Sequence, residues 1–270
     1  MAHNGRRFLA RLVMAGLLLV PPAGVAVAGE PEPRDILAPT GTLRVGLYTG
    51  TPTSILPDPK VGGPKGVGYD LGKALAEKLG VPYEPVVFSR NAEVLEAVKT
   101  GKVDAAFTNA SPARAKVMDF GPYYLESELG YLVQQGSAVA RLADVDVAGR
   151  RVGVTEGSSS DAALSHDLKQ AEIVRVATVT LAGEMLAAGE LDVFATNKAT
   201  LYELAEKAPG SKVLDGQWGV ERHAIAIPKG REQGLAFVRQ FTEQAKAQGV
   251  VTAAIARSGL RAATTAAAQP

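Results

Sequence analysis

The order of strands and helices is the feature that most limits the fold of this chain. The segment LRVGLY at 43–48 is typical of a strand, and GYDLGKALAEKLG at 68–80, with leucines four residues apart and Gly80 as its stop, is typical of a helix. A strand at 83–88, a short helix NAEVLEAVKTGK and a compact apolar strand at 103–108 follow. This βαβαβ order predicts parallel strands with helical crossovers, and a ligand site at the carboxyl ends of the strands.

The same order recurs in the second half of the chain, after residue 140. Its elements are RRVGVTEG, a helix from about residue 160, IVRVA, EMLAAG, LDVFAT and YELAEK. A strand at 225–230 and two terminal helices, REQGLAFVRQFTEQAKAQG and VVTAAIARSG, extend beyond this second half. These extra elements favour a chain that returns to complete its first lobe.

The predicted architecture is therefore α/β with two lobes. Each lobe is a sheet flanked by helices, and two crossing hinge strands join the lobes beside a cleft. The first lobe is expected over residues 36–126 and the return segment 222–262, and the second lobe over 127–221. The tail at 263–270 has no apolar period and is expected to be disordered.

The first 28 residues have the pattern of a secretory signal peptide. Arg6, Arg7 and Arg11 precede an apolar run that ends in small residues, with an expected cleavage site after Ala28. The run is too short and too interrupted by proline to span a bilayer, so we expect it to be removed on export to the periplasm.

Composition and charge limit the kind of partner. Removal of the signal-peptide arginines turns the formal net charge of +1 weakly negative, which gives no electrostatic footprint for nucleic acid or an anionic membrane. The sequence contains no cysteine, and His166 and His223 are the histidines beyond the signal peptide. Disulfides and thiolate metal sites are thereby excluded, and no cofactor is expected. We expect a monomer whose working partner is a small molecule.

Five blocks follow one another between residues 41 and 133: GTLRVG, GVGYDLGKALAEKLGV, LEAVKTGKVDAAF, SPARAKVMDFGPYY and LGYLV. The second half adds DVAGRRVGVTEGSSS, LAAGELDVFATN and HAIAIPKG. Together the blocks closely resemble the periplasmic solute-binding proteins for polar amino acids and opines, bacterial solute-binding protein family 3. The resemblance implies a two-lobed protein that captures a small carboxylate-bearing solute, an amino acid or related organic acid, for an inner-membrane ABC permease.

The resemblance also implies which residues bind the solute. Arg114 in SPARAK stands where the family pairs an arginine with the ligand's carboxylate, and a guanidinium is a planar fork of donors that matches two carboxylate oxygens. Asn109 and Ser111 fall where the family has hydroxyl residues that contact the ligand. Ser158 and Ser159 in GSSSDAAL fall in its strand-to-helix loop. Asparagine and serine also act in turns and helix caps, so both roles stay open here.

Other expected ligand-binding positions depart from the family pattern. Asn197 occupies the position of the acid that neutralises an α-ammonium group, and Thr51 and Asn91 occupy those of rings that cover the ligand. Tyr48 could supply a ring from a neighbouring position, and Glu156 is the nearest acid. The arginine that binds the ligand's carboxylate is retained, whereas the acid that neutralises its ammonium group is missing. This combination predicts a small anionic solute that lacks an α-amino group.

Two other functions remain open. A cleft enzyme of the dehydratase type on the same scaffold would need a positioned general acid or base. The candidates are Glu156, Lys198 and Glu221, none of which lies in a recognised catalytic pattern, and His166 is expected at an exposed helix position. A ligand-sensing role would need a separate receptor protein.

Overall fold

Parallel strands alternate with helices in both halves of the chain. The computed structural model describes residues 1–2, 31–58 and 62–269. Apart from its first two residues, the predicted signal peptide at 1–28 lies outside the described residues.

The described strands are β1 Leu43–Tyr48, β2 Leu56–Asp58, β3 Gly63–Lys65, β4 Tyr83–Phe88, β5 Ala105–Asn109, β6 Met118–Gln134, β7 Arg151–Thr155, β8 Glu172–Val176, β9 Val193–Asn197, β10 Ser211–Val213, β11 Gly219–Pro228 and β12 Ala263–Thr265. The described α-helices are α1 Pro33–Leu37, α2 Val67–Leu79, α3 Asn91–Lys99, α4 Pro112–Ala115, α5 Ser159–Asp167, α6 Val179–Ala187, α7 Lys198–Lys207, α8 Leu235–Ala247 and α9 Val250–Ser258. The predicted βαβαβ order is confirmed in both halves. The strand expected at 225–230 begins earlier, at Gly219.

The strands form a sheet in the order β4-β1-β5-β11-β6-β9-β7-β8, with β10 and β12 also paired to β6. In the first half β1 lies parallel to β4 and β5, and in the second half β7 lies parallel to β8 and β9. The two parallel groups therefore have the same internal order on opposite sides of an antiparallel centre.

The antiparallel centre consists of β6 and β11, which pair from Gly219–Leu129 to Pro228–Met118. Strand β11 also pairs with β5 of the first lobe, and β6 also pairs with β9 of the second lobe. These are the two hinge strands that the sequence predicted, and the two-lobed α/β fold class is confirmed. The predicted lobe boundaries at 126/127 and 221/222 fall inside these strands and stay predictions.

Each lobe has an apolar cluster on either face of its strands. In β5, Phe107 belongs to one first-lobe cluster and its neighbour Ala106 to the other. In β9, Val193 and Phe194 divide in the same way between the two second-lobe clusters. Because successive strand residues point to opposite faces, this division shows strands that are covered by helices on both sides.

An arginine–aspartate clamp is repeated in the two lobes. The Arg44 side chain in β1 pairs with Asp104 at 2.8 Å, and the Arg44 backbone N–H donates to the same carboxylate. Arg151 in β7 contacts Asp192 in the same two ways, at 3.0 Å for the side chains. Each clamp fixes the start of the first parallel strand of its lobe to the aspartate directly before the third parallel strand. The first-lobe clamp is stronger, because Arg231 of the return segment also pairs with Asp104 at 2.8 Å.

The expectation of a disordered tail at 263–270 is wrong for the described residues up to 269. Strand β12 pairs antiparallel with β6, from Ala263–Ser127 to Thr265–Leu125. Lys246 Nζ donates to the Ala267 carbonyl oxygen at 2.8 Å, and Gln269 Oε1 accepts from the Tyr123 backbone N–H at 2.9 Å. Backbone pairing with a neighbouring strand needs no apolar period, so the sequence pattern gave no sign of it.

The clamps predict unequal costs for two matched substitutions. Asp104→Asn should lower the free energy of unfolding by about 3–5 kcal/mol, because it leaves two arginines beside a fully buried neutral amide. Asp192→Asn should cost about 1 kcal/mol or less, since the Asp192 side chain is 26% exposed, against 0% for Asp104. Urea unfolding of both variants measures this, and equal losses would contradict the stronger first-lobe clamp.

The contribution of Asp104 to the free energy of unfolding should also depend on pH. Burial would raise the pKa of Asp104, but hydrogen bonds from Arg44 and Arg231 outweigh it and hold the pKa below 3.8. Because the folded-state pKa is lowered, the stabilisation is fully present above pH 3.8 and is lost as pH falls through the folded-state value. The difference in unfolding free energy between the wild type and Asp104→Asn should shrink below that pH. A difference that stays constant would show that ionisation of Asp104 is not its source.

Candidate functional site

A cleft between the lobes is lined by residues at the carboxyl ends of parallel strands from both lobes. Tyr48 ends β1, Asn109 ends β5, Thr155 ends β7 and Asn197 ends β9, and all four line the cleft. The order of elements in the sequence predicted a ligand site at this edge of the strands.

The lobes touch each other directly beside the cleft. Thr51, in the loop after β1, and Thr200, in α7, share a hydroxyl–hydroxyl hydrogen bond of 2.9 Å, and both residues are buried. Arg114 of the first lobe donates through Nη2 to the Gly157 carbonyl oxygen of the second lobe at 3.4 Å. The structure therefore shows the two lobes closed on each other.

Arg114 lies in α4 and lines the cleft with only 8% of its surface exposed. Its Nη1 donates to Thr108 Oγ1 at 3.1 Å, to the Asn109 carbonyl oxygen at 3.0 Å and to Asn109 Oδ1. Burial lowers the pKa of Arg114, against the opposing effects of Glu221 and Tyr48. A guanidinium nevertheless stays protonated in proteins, so the cleft contains a buried positive charge.

Two residues predicted beside Arg114 hold it in position. Asn109 lines the cleft and accepts from Arg114 through both its backbone and its side-chain oxygen. Ser111 is the N-cap of α4, where its hydroxyl accepts from the Arg114 backbone N–H at 3.3 Å. Ser111 is not among the residues that line this cleft. The cap geometry therefore gives it a direct part in orienting α4.

Ser158 and Ser159 begin α5 on the second-lobe side of the cleft, and both line it. The Ser158 hydroxyl caps the helix by accepting from the Asp161 backbone N–H at 3.0 Å. The Ser159 hydroxyl donates instead to Glu221 Oε2 at 3.0 Å. The two neighbouring serines therefore have different partners, one inside the helix and one across the cleft.

Asn197 lines the cleft and is the N-cap of α7, with Oδ1 accepting from the Thr200 backbone N–H at 3.0 Å. Thr51 and Asn91, which replace the family's rings, also line the cleft. Tyr48 is half-buried against the apolar cluster of the first lobe, and burial raises the pKa of its hydroxyl to about 12. Tyr48 is thus both a packing residue and part of the cleft wall.

Glu221 and His223 form a buried pair in the cleft that the sequence did not reveal as such. His223 Nε2 lies 2.8 Å from Glu221 Oε1, and the side chains are 5% and 8% exposed, respectively. Both line the cleft, because residues two apart in β11 point to the same face, while Arg222 between them is exposed. An acid therefore lines the cleft at a position other than that of Asn197, and the solute without an α-amino group stays a prediction.

The Glu221 carboxyl group is held in its ionised form. Burial would raise its pKa, but His223, the hydrogen bond from Ser159 and the charge of Arg114 outweigh burial and lower the pKa below 4.5. Glu221 is therefore a carboxylate at neutral pH, and the cleft contains charges of both signs.

The other candidate acid–base residues lie elsewhere. Glu156 is exposed in the loop after β7 and is not part of the cleft wall. Lys198 pairs with Glu128 at 2.8 Å. The side chain of His166 is 86% exposed, as expected.

The described residues give no sign of a metal or membrane-spanning element. Among them, no group of three or more histidine, cysteine, aspartate or glutamate side chains is arranged to hold a metal ion. No helix in the same part of the chain is long and apolar enough to cross a membrane.

Comparison with known proteins identifies the family of this chain. Residues 43–258 match the model of the bacterial extracellular solute-binding proteins, family 3. The ABC transporter glutamine-binding protein of Bacillus subtilis is 23% identical over 208 residues, which are 76% of this chain and 76% of that protein. The L-arginine-binding protein of Pseudomonas aeruginosa is 26% identical over 200 residues, which are 70% of this chain and 76% of that protein.

A solved structure is similar over most of its length. An ancestral amino acid-binding protein, described as a precursor of cyclohexadienyl dehydratase, superposes with a TM-score of 0.71 at 28% identity. The match covers 82% of this chain and 97% of that chain.

The Asn197 cap predicts a stability effect that is independent of any ligand. Asn197→Ala should lower the free energy of unfolding by about 1 kcal/mol, because the Thr200 N–H loses its partner. Asn197→Ser keeps a capping oxygen and should recover most of that loss. Urea unfolding without added solute measures both variants. An alanine variant as stable as the wild type would show that the cap contributes nothing.

Proposed function

This chain belongs to the bacterial extracellular solute-binding proteins of family 3, and we propose that it is the solute-binding component of an ABC import system. It captures a small carboxylate-bearing solute, an amino acid or related organic acid, in the cleft between its lobes. The names of the relatives, which bind glutamine and arginine, support an amino acid as the solute class.

The hydrogen-bond partners of Arg114 are the main support for this proposal. The half-buried Arg44 and Arg231 pair with a carboxylate within the protein, that of Asp104. The hydrogen bonds of Arg114 go instead to neutral oxygens, on Thr108, Asn109 and Gly157. Because a buried charge is costly without an opposite charge, this guanidinium favours a carboxylate supplied by a ligand.

Closure supplies the signal that an importer needs. Arg114 lies in the first lobe and Ser158 and Ser159 lie in the second, so a solute that contacts both would shift open molecules toward the closed form. A permease that recognises the closed form would then accept the loaded protein. The proposed location is the periplasm, reached through the predicted signal peptide at 1–28, and the proposed state is a monomer.

The Glu221–His223 pair favours one second candidate, a cleft enzyme of the dehydratase type. A carboxylate and an imidazole in contact are the groups that general acid–base catalysis uses. The candidates differ in the fate of the solute, because a binding protein returns it unchanged and an enzyme does not. Mass spectrometry of the solute after incubation distinguishes them.

The proposal predicts ligand-dependent thermal stability. The mature protein is melted against amino acids, 2-keto and 2-hydroxy acids, dicarboxylates and phosphorylated or sulfonated acids. A ligand at about 100 times its Kd adds about 2.7 kcal/mol, which should raise the melting midpoint by about 5–11 °C. A shift with recovered, unaltered solute supports capture. Conversion of the solute would favour the enzyme.

The role of Arg114 predicts the effect of two substitutions. Arg114→Ala should weaken binding of the solute found in the melting panel by about 10- to 100-fold, since a charge-assisted hydrogen bond is lost. The affinity of Arg114→Lys should lie between those of the wild type and Arg114→Ala, because lysine keeps the charge but lacks the planar fork of donors. Isothermal titration calorimetry gives the affinities. Arg257→Lys, whose arginine pairs with Asp70 in a partly exposed ion pair, is the control, and an Arg114→Ala protein with wild-type affinity contradicts the proposal.

A further inference from the structure

We infer that the buried Thr51–Thr200 contact between the lobes limits the size of the solute, so that the closed cleft takes an acid of about two to four carbons. This inference rests on the proposed function and narrows its substrate class by size. It applies to a solute with or without an α-amino group.

The cavity that the closed lobes enclose is small. Its volume is about 50 Å³, well below the roughly 300–1,000 Å³ of sites for drug-sized ligands. A water molecule needs about 10–15 Å³ of such space, so the cavity has room for about three to five water-sized groups. The oxygens of a carboxylate use part of that room, and only a few further atoms fit beside them. A long side chain therefore exceeds the space in the closed cleft.

Contacts between the lobes enclose this cavity at separate places. The Thr51–Thr200 hydrogen bond joins the loop after β1 to the helix after β9. The Arg114–Gly157 hydrogen bond joins the helix after β5 to the loop after β7. Thr51, Thr200 and Arg114 also line the cavity. A solute too long for the cavity would have to hold the lobes apart, which would break the Thr51–Thr200 hydrogen bond.

The first-lobe side of the contact is fixed by the chain around it. The Thr51 hydroxyl also shares a hydrogen bond of 2.9 Å with the Thr53 hydroxyl, and both residues are buried. The Thr53 carbonyl oxygen accepts from the Gly68 backbone N–H at 3.0 Å, which ties the loop to the start of α2. Gly66 permits this close packing, because a Cβ there would overlap the Ser54 carbonyl oxygen. The loop is therefore not free to move aside for a longer solute.

The second-lobe side of the contact is fixed by the start of α7. Thr200 is 1% exposed, and its backbone N–H donates to the Asn197 side-chain oxygen at 3.0 Å. The adjacent Leu201 packs in an apolar cluster of the second lobe. A threonine side chain is also stiff at χ1, because its β-carbon is branched. Folding therefore sets the wall that the two threonines form, whichever solute is present.

Homologous series test the inference on the wild-type protein. Unbranched 2-amino acids from glycine to norleucine, the matching 2-hydroxy acids and the dicarboxylates from malonate to adipate are titrated by calorimetry. Affinity should rise about fourfold per added methylene while the cavity has room, because burial of a methylene is favourable. It should then fall by about 5- to 150-fold between 2-aminobutyrate and norleucine, or between their counterparts, which is the range for overpacking. A norleucine affinity equal to or above that of 2-aminobutyrate overturns the inference.

Thr200→Ala assigns the limit to this contact. It removes a methyl and a hydroxyl group from the wall, so the affinity of norleucine relative to alanine should rise by about 5-fold or more. Thr200→Val loses the interlobe hydrogen bond but keeps a branched side chain of similar size, and it should shift the limit less than Thr200→Ala does. A merely structural role of Thr200 would weaken every member of a series equally, which would overturn the inference.

Thr40→Ala is the matched control. It makes the same change at an exposed threonine outside the cleft, and should keep the wild-type dependence on chain length. If Thr200→Ala does not fold, Thr51→Ala removes the other half of the contact and should shift the limit in the same direction.

The same titrations separate failure of the inference from failure of the proposed function. Binding without a fall at longer chain lengths, or glutamine or arginine as the tightest ligand, refutes the size limit and leaves solute capture standing. No binding of any compound in the series or in the melting panel refutes both.

Discussion

The pairing of β6 with β11 is the constraint on which the site depends, because these strands connect to the sheet of both lobes. The register of β11 on β6 shifts between His223 and Ala226. Such irregularities bend a strand and redirect its side chains. On one side of the shift Glu221 and His223 face the cleft, and on the other Ile225 and Ile227 enter the core of the first lobe. One strand therefore supplies both the core and the charged centre of the cleft.

The distribution of buried charge separates structural groups from site groups. Asp104 is neutralised by two arginines and joins elements of the first lobe. Lys198 is similarly paired with Glu128. The hydrogen bonds of Arg114 go to neutral oxygens instead, on Thr108, Asn109 and Gly157. Because burying a charge is unfavourable, this difference supports the proposal that a ligand carboxylate pairs with Arg114.

Much of the fold could be predicted from sequence, because each βαβ unit has its own periodicity and its own glycine stops. The residues Arg114, Ser158, Ser159 and Asn197 followed from the family blocks, and the structure brings all four to the cleft wall. Glu221 could not be recognised, since its strand was expected to begin at residue 225 and its burial depends on distant partners. The sequence gives no signal for it, because the apolar Val220 is exposed whereas the polar Glu221 and His223 are buried, the reverse of the usual pattern. The strand at Ala263–Thr265 was missed because its stabilisation comes from the backbone of β6.

The most direct test of the account is a crystal structure of the mature protein with the tightest-binding amino acid. The account predicts closed lobes, with the ligand carboxylate within hydrogen-bonding distance of Arg114. A ligand bound outside this cleft, or bound with its carboxylate away from Arg114, would contradict it.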